Sequence, residues 1–215
     1  MKKMILPVLA VASMLAATPA TAATAIEGFN GGSSFTGFST DETVGFKFKA
    51  NGTLKVLRVG WYNASGTVNA SHQIGIWDAA GTLLGSATVT PGATGTSLFR
   101  YTDITQFFLT SGQDYFIGGR DLIGDGDSYV TSVSNLVTNP NVSFLGSAVS
   151  ANGSGFAFPD RINTITTGGR FGPNFEFSVA GVPEPATWAM LILGFGVIGG
   201  AMRSARRQTV RITYA

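Results

Sequence analysis

Between residues 43 and 49 apolar and polar side chains alternate: Val44, Phe46 and Phe48 fall on one face, Lys47 and Lys49 on the other. A period of two is that of a strand with one face buried and one in water. The pattern recurs through the middle of the chain. Residues 54–62 predict a longer strand, with Leu57, Val59 and Trp61 on one face and Leu54, Val56 and Tyr62 on the other. Residues 73–78, 82–89, 97–104, 106–109, 114–118 and 174–179 predict further strands. Turn formers punctuate them. Asn51-Gly52 is a turn signal, Asp78-Ala79-Ala80-Gly81 a hairpin loop, and Ser111-Gly112-Gln113 a closing turn. No window between residues 23 and 181 sustains a 3.6-residue apolar period. Eight or more short strands separated by Gly, Asn, Asp and Ser predict an all-β domain, an antiparallel sandwich of jelly-roll type.

The two ends follow other rules. Lys2 and Lys3 precede an apolar run over residues 5–17, broken only by Pro7 and Ser13, and Ala20-Thr21-Ala22 supplies a small-x-small cleavage site. This is the plan of a secretory signal peptide over residues 1–22, removed by signal peptidase. Ala23-Thr24-Ala25 offers a second cleavage site. At the other end Pro183-Glu184-Pro185 leads into an uncharged apolar run over 186–202, with Trp188 near its start and Arg203, Arg206 and Arg207 after it. As a helix that run is about 25 Å long, at the short end of the spanning range. An interfacial Trp and an arginine stop predict a transmembrane helix, with residues 203–215 in the cytoplasm. The expected organisation is a signal peptide (1–22), a lead segment (23–40), the sandwich (41–181) and a tail (182–215).

Pro-Glu-Pro, a Trp-Ala-Met-led apolar helix and an arginine cluster, in that order near the end of a chain with a signal peptide, resemble the PEP-CTERM sorting tail of Gram-negative bacteria. The resemblance covers residues 182–207. It implies that an exosortase, a membrane-embedded cysteine transpeptidase-like enzyme, recognises Pro183, Glu184 and Pro185 and cuts nearby. It also implies an inner-membrane-anchored intermediate, a final place on the outer surface or outside the cell, and a link to exopolysaccharide or biofilm. Residues 208–215 extend beyond the shortest tails of this type. Within residues 40–180 the strings Ile74-Gly75-Ile76-Trp77-Asp78 and Gly112-Gln113-Asp114-Tyr115-Phe116-Ile117-Gly118 resemble exported sandwich domains of the DUF4082-like group. That resemblance brings no activity with it.

Charge sharpens this picture. Six of the fourteen Lys and Arg residues stand in the two ends. Residues 23–181 hold eight basic against eleven acidic side chains, a net of about −3, so no basic patch for nucleic acid is expected. There is no cysteine, hence no disulfide framework and no lipidated N-terminal cysteine.

Catalytic chemistry is poorly supplied. His72 is the only histidine, and no Gly-x-Ser-x-Gly elbow is present. Gly126-Asp127-Ser128 is similar to a GDS-type hydrolase block, but it lies mid-chain and downstream of His72, which reads as an ordinary loop or strand-start residue. No enzyme is expected, and no cofactor beyond calcium. Asp121, Asp125 and Asp127 put hard oxygens on one glycine-containing loop, the chemistry calcium takes, although the spacing is not that of an EF-hand. Trp61, Tyr62, Trp77, Tyr101 and Tyr115 would serve either as core or as a stacking platform for a carbohydrate-binding module. Thr88-Val89-Thr90 and Thr164-Ile165-Thr166 are the threonine arrays an ice-binding face would use, without a repeat. The expectation is a non-enzymatic exported surface or matrix protein. The alternatives are a module binding exopolysaccharide and, after it, a hydrolase or an ice-binding protein.

Overall fold

The computed structural model describes residues 22–35, 41–63, 66–96, 98–163, 169–180 and 185–205. The signal peptide through Thr21, Pro183, Glu184, Arg206, Arg207 and the array 164–166 lie outside them. Residues Ala20–Gly181 form one compact unit, and the helix after them belongs to another.

The compact unit is all-β and antiparallel. One sheet runs β1 (Ala23–Thr24), β15 (Pro173–Val179), β5 (Leu54–Tyr62), β9 (Phe99–Leu109), β8 (Thr94–Gly95). The other runs β14 (Arg161–Asn163), β13 (Val142–Val149), β4 (Glu42–Ala50), β10 (Asp114–Asp121), β6 (His72–Asp78), β7 (Leu83–Val89). Two short pairs complete it: β2 (Ile26–Asn30) with β12 (Ser134–Thr138), and β3 (Ser33–Phe35) with β11 (Tyr129–Thr131).

The sheets bury their facing sides against each other, the arrangement expected of alternating strands. Phe46, Phe48 and Ile117 from one sheet share a core with Val59, Trp61, Phe175 and Phe177 from the other. A second, smaller cluster lies apart from that core. Trp77, Phe116 and Ala148 are buried there with Phe156 and Phe158 packed on them, and Phe158 meets Phe116 edge-on at 4.9 Å.

Leu57 departs from its expected place. Leu54 and Val56 point into the core, and so do Val59 and Trp61, although the two pairs differ in parity. A bulge reconciles them. On β15, Glu176 pairs with Arg58 and Phe177 with Val56, leaving Leu57 as the extra residue. One inserted residue flips the faces, so both apolar sets are buried and Leu57 is only half-buried. The same strand pairs across an irregularity with β9, where Val56 faces Phe107 and Arg58 faces Asp103. The two strands expected over 97–104 and 106–109 are thus one strand with a break in its register.

The hairpin at 78–81 is as expected. β6 and β7 pair directly, Gly81 has φ +87°, and Asp78 Oδ1 accepts the Ala80 and Thr82 N–H groups. The turns at Asn51-Gly52 and Ser111-Gly112-Gln113 instead connect strands of opposite sheets, β4 to β5 and β9 to β10. The segment 23–40, expected to lead into the domain, supplies β1, β2 and β3 to it. Ala25 and Ile26 are buried in the core.

Candidate functional site

Of the five aromatics considered as a sugar platform, Trp61, Trp77, Tyr101 and Tyr115 are buried and Tyr62 is half-buried. They are core, not a stacking surface. Trp61 sits in a cage that only glycines permit. A Cβ on Gly172 would lie 2.6 Å from its ring, and one on Gly119 would meet the same ring. Its open face stacks on His72, with ring centroids 4.0 Å apart and planes 4° from parallel.

His72 opens β6, as a strand-start residue, but it is fully buried. Its Nδ1 lies 3.0 Å from the Arg120 carbonyl, which can only accept, so Nδ1 carries the N–H. Its Nε2 lies 3.0 Å from Asp127 Oδ2. Asp127 also accepts the backbone N–H groups of Asn69 at 2.8 Å and Ala70 at 2.8 Å. It therefore clamps the loop before β6 to the loop after β10. His72 is thus held between a carbonyl and a carboxylate, with an indole over its face.

The three loop aspartates do not converge. Asp127 is spent on His72 and the 69–70 backbone. Asp125 accepts the N–H groups of Leu122 at 3.2 Å and Asp127 at 2.9 Å. Asp121, the last residue of β10, is fully buried, and neither of its carboxylate oxygens has a hydrogen-bond partner. Burial pushes its carboxyl up to about 7, helped by the charges of Asp125, Glu42 and Asp41 and opposed by Arg170. Glu42, its cross-strand neighbour, is raised by burial too, against the pull of Arg170 and Arg161. Arg170 Nη1 reaches Glu42 Oε1 at 3.5 Å and the Tyr129 hydroxyl at 2.9 Å. Among the described residues, no three His, Cys, Asp or Glu side chains are placed to hold a metal ion together.

Asn174, a residue the sequence did not mark, is a second buried polar node. Its Oδ1 accepts the Ile26 N–H at 3.0 Å and its Nδ2 donates to the Ile26 carbonyl at 3.0 Å. The amide thus stands in for a missing strand pair where β1 gives way to β2. Nδ2 also donates to the Tyr101 hydroxyl at 3.0 Å.

At the surface, an open cleft of about 710 Å³ is lined by Asn51, Ser134, Asn135, Asn139, Ser143 and Phe144, among others. Among the described residues no charged side chain lines it. Asn135 takes φ +50°, a conformation few non-glycine residues adopt.

The tail is built differently. Its helix α1 spans Pro185–Ala205. Proline suits the first helical position, where its missing N–H removes no hydrogen bond. Trp188, Leu191, Ile192, Leu193, Phe195, Val197 and Ile198 are all exposed. Arg203 stands in its last turn, a favourable place for a cation. Among the described residues no helix is long and apolar enough to cross a membrane. The side chains described in α1 are those of residues 188–200, 202 and 203. The family model of the PEP-CTERM protein-sorting motif matches residues 181–207. The chain carries a PEP-CTERM sorting motif. A PEP-CTERM motif marks an exported protein sorted by an exosortase, and the match takes in Pro183-Glu184-Pro185, the whole of α1 and the arginines through Arg207. No curated protein matches the chain.

Proposed function

We propose that this is a non-enzymatic surface or matrix protein, exported with a cleaved signal peptide and freed from an inner-membrane intermediate by exosortase at Pro183-Glu184-Pro185. The match to the sorting motif over residues 181–207 carries this reading. The chemistry of the tripeptide supports it. Two prolines lack N–H groups and disfavour helix in the residues that precede them, and α1 begins only at Pro185. In this reading the helix is a short membrane anchor. Apolar side chains exposed all round it are what a helix in lipid presents. The non-enzymatic part rests on His72, the only histidine, being consumed in a structural pair. In cells with an exosortase the mature protein should lack about its last 30 residues. Replacing Pro183-Glu184-Pro185 by alanines should leave the tail attached and the protein in the inner membrane. Mass spectrometry of the mature C-terminus reads this. Wild-type processing of the alanine variant would reduce the motif to a linker.

A second reading has one observation behind it. The uncharged cleft beside β12, lined by amides, hydroxyls and the edge of Phe144, has the chemistry of a site for a neutral polyhydroxyl chain such as exopolysaccharide. Pull-down on the cell's own polysaccharide with wild type and Asn135→Ala separates this from a passive surface protein. Equal retention of the two, or none, removes the cleft from consideration.

A further inference from the structure

The inner face of the six-stranded sheet carries two carboxyl groups. Asp121 shares strand parity with Tyr115, Ile117 and Gly119, and Glu42 with Val44, Phe46 and Phe48. Both therefore lie on the side of the sheet that covers the core. They stand directly opposite each other where β4 begins and β10 ends, with no break in register. Opposed residues of an antiparallel pair hold their side chains about 5 Å apart, and like charges there repel. Both residues are buried, so little water is left to screen them.

The groups around the pair serve Glu42 better than Asp121. On β10 itself, Arg120 is turned to Asp41, its Nε donating at 2.9 Å. In the loop after β10, Asp125 adds negative charge toward Asp121, and Asp127 is bound to His72 of β6 at 3.0 Å. Arg170, ahead of β15, attracts both carboxyls. Its Nη1, however, reaches Glu42 at 3.5 Å and the Tyr129 hydroxyl of β11 at 2.9 Å. Arg161 of β14 attracts Glu42 as well. β13, on the other side of β4, brings no charged side chain. Neither oxygen of Asp121 has a hydrogen-bond donor.

We propose that the Asp121–Glu42 pair is a pH-sensitive latch at this end of the sandwich: it stays closed while the pair holds one negative charge, and a second ionisation releases the loop that follows β10. A carboxyl without donors is far cheaper to bury neutral than charged. Glu42 has the cations, so the proton belongs on Asp121. Burial raises that carboxyl from 3.8 to about 7, with Asp125, Glu42 and Asp41 adding to the rise and Arg170 opposing it. Folding therefore takes up a proton between these values. The stability it contributes is fully present below about pH 4 and lost as pH rises through about 7. Once ionised, Asp121 has to reach water, and the segment that can give way is the loop beside it, where Ile123, Gly124 and Gly126 are already exposed.

Thermal unfolding of the sandwich in protein that keeps its tail tests this, with EDTA present throughout so that no cation contributes. Between about pH 5 and pH 8 the Tm of wild type should fall by about 5 °C. Asp121→Asn, which keeps the shape and removes the charge, should cut that fall to less than half. Amides of residues 122–127, corrected for intrinsic exchange, should open about tenfold more often at the higher pH in wild type and not in the variant. A wild-type Tm equal at the two pH values, a fall that survives Asp121→Asn, or unchanged loop protection overturns the proposal. Should the variant fail to fold, infrared spectroscopy of wild type decides. A protonated-carboxyl band that persists at about pH 6, where ordinary carboxylates are ionised, supports the latch, and its absence there overturns it.

Discussion

The sandwich and the tail helix treat apolar side chains in opposite ways. In the sandwich most large ones are covered, down to Trp61, Phe175 and Phe177 with no exposed surface, although Phe108 and Ile123 stay more than half exposed. In α1 Ile192, Phe195 and Val197 keep about two-thirds or more of theirs. The first region takes its stability from removing such groups from water, roughly 25 cal/mol per Å² buried. The described side chains of the second stay exposed, and its helix is held by local backbone bonding. Apolar content alone therefore says little. Glycine-caged tryptophan and two facing sheets make one region a fold, while the bare face of the other is free for a different solvent or partner.

Substitutions can test this contrast, measured as unfolding of the sandwich in full-length protein that keeps its tail, taken from cells without an exosortase. Trp61→Ala should remove about 3–5 kcal/mol from the sandwich, because its ring fills space between both sheets and His72. Asp127→Ala comes next, at about 3 kcal/mol. It leaves the buried His72 and the Asn69 and Ala70 N–H groups without their acceptor. Circular dichroism on denaturant titration should show the loss, and a change below about 0.5 kcal/mol would mean the clamp is ornamental. Gly172→Ala should cost about 1–3 kcal/mol by pressing a methyl group on the Trp61 ring. The smallest effect is expected from Leu193→Ala in α1, within about 0.5 kcal/mol of wild type for unfolding of the sandwich. If Leu193→Ala lowered that stability as much as Gly172→Ala does, the two regions would not be independent and the comparison would fail.

Much of the sandwich was legible because its central strands obey the two-residue period. β4, β5, β6, β7, β10 and β15 lie within a few residues of their expected bounds. The failures have identifiable causes. Leu57 was placed on the wrong side because a bulge is invisible to parity counting. β13 went unseen because its own irregularity, between Phe144 and Gly146, breaks the alternation. β1, β2 and β3 are short and polar, and exist by pairing with residues more than ninety positions away. Local pattern cannot signal that. The buried cluster was half legible. The aspartate loop stood out, but nothing in the sequence joins residue 127 to His72, fifty-five positions earlier. A lone histidine in a domain with surplus carboxylates was the available hint. The sorting motif was legible because its signal is linear order, not tertiary contact.

The pairing of Ala23 with Phe177 and of Thr24 with Glu176 reaches beyond architecture. It joins residues at the start of the described domain to the last strand before the tail, and Ala25 donates its N–H to Phe175 at 2.9 Å. β15 lies inside its sheet, between β1 and β5, and it is made last. A chain emerging N-terminus first on the far side of a membrane therefore cannot close its core until residue 179 has crossed. Contacts so distant in sequence form slowly. Until then β1 and β5 lack the strand that lies between them, so that sheet stays open while the chain threads.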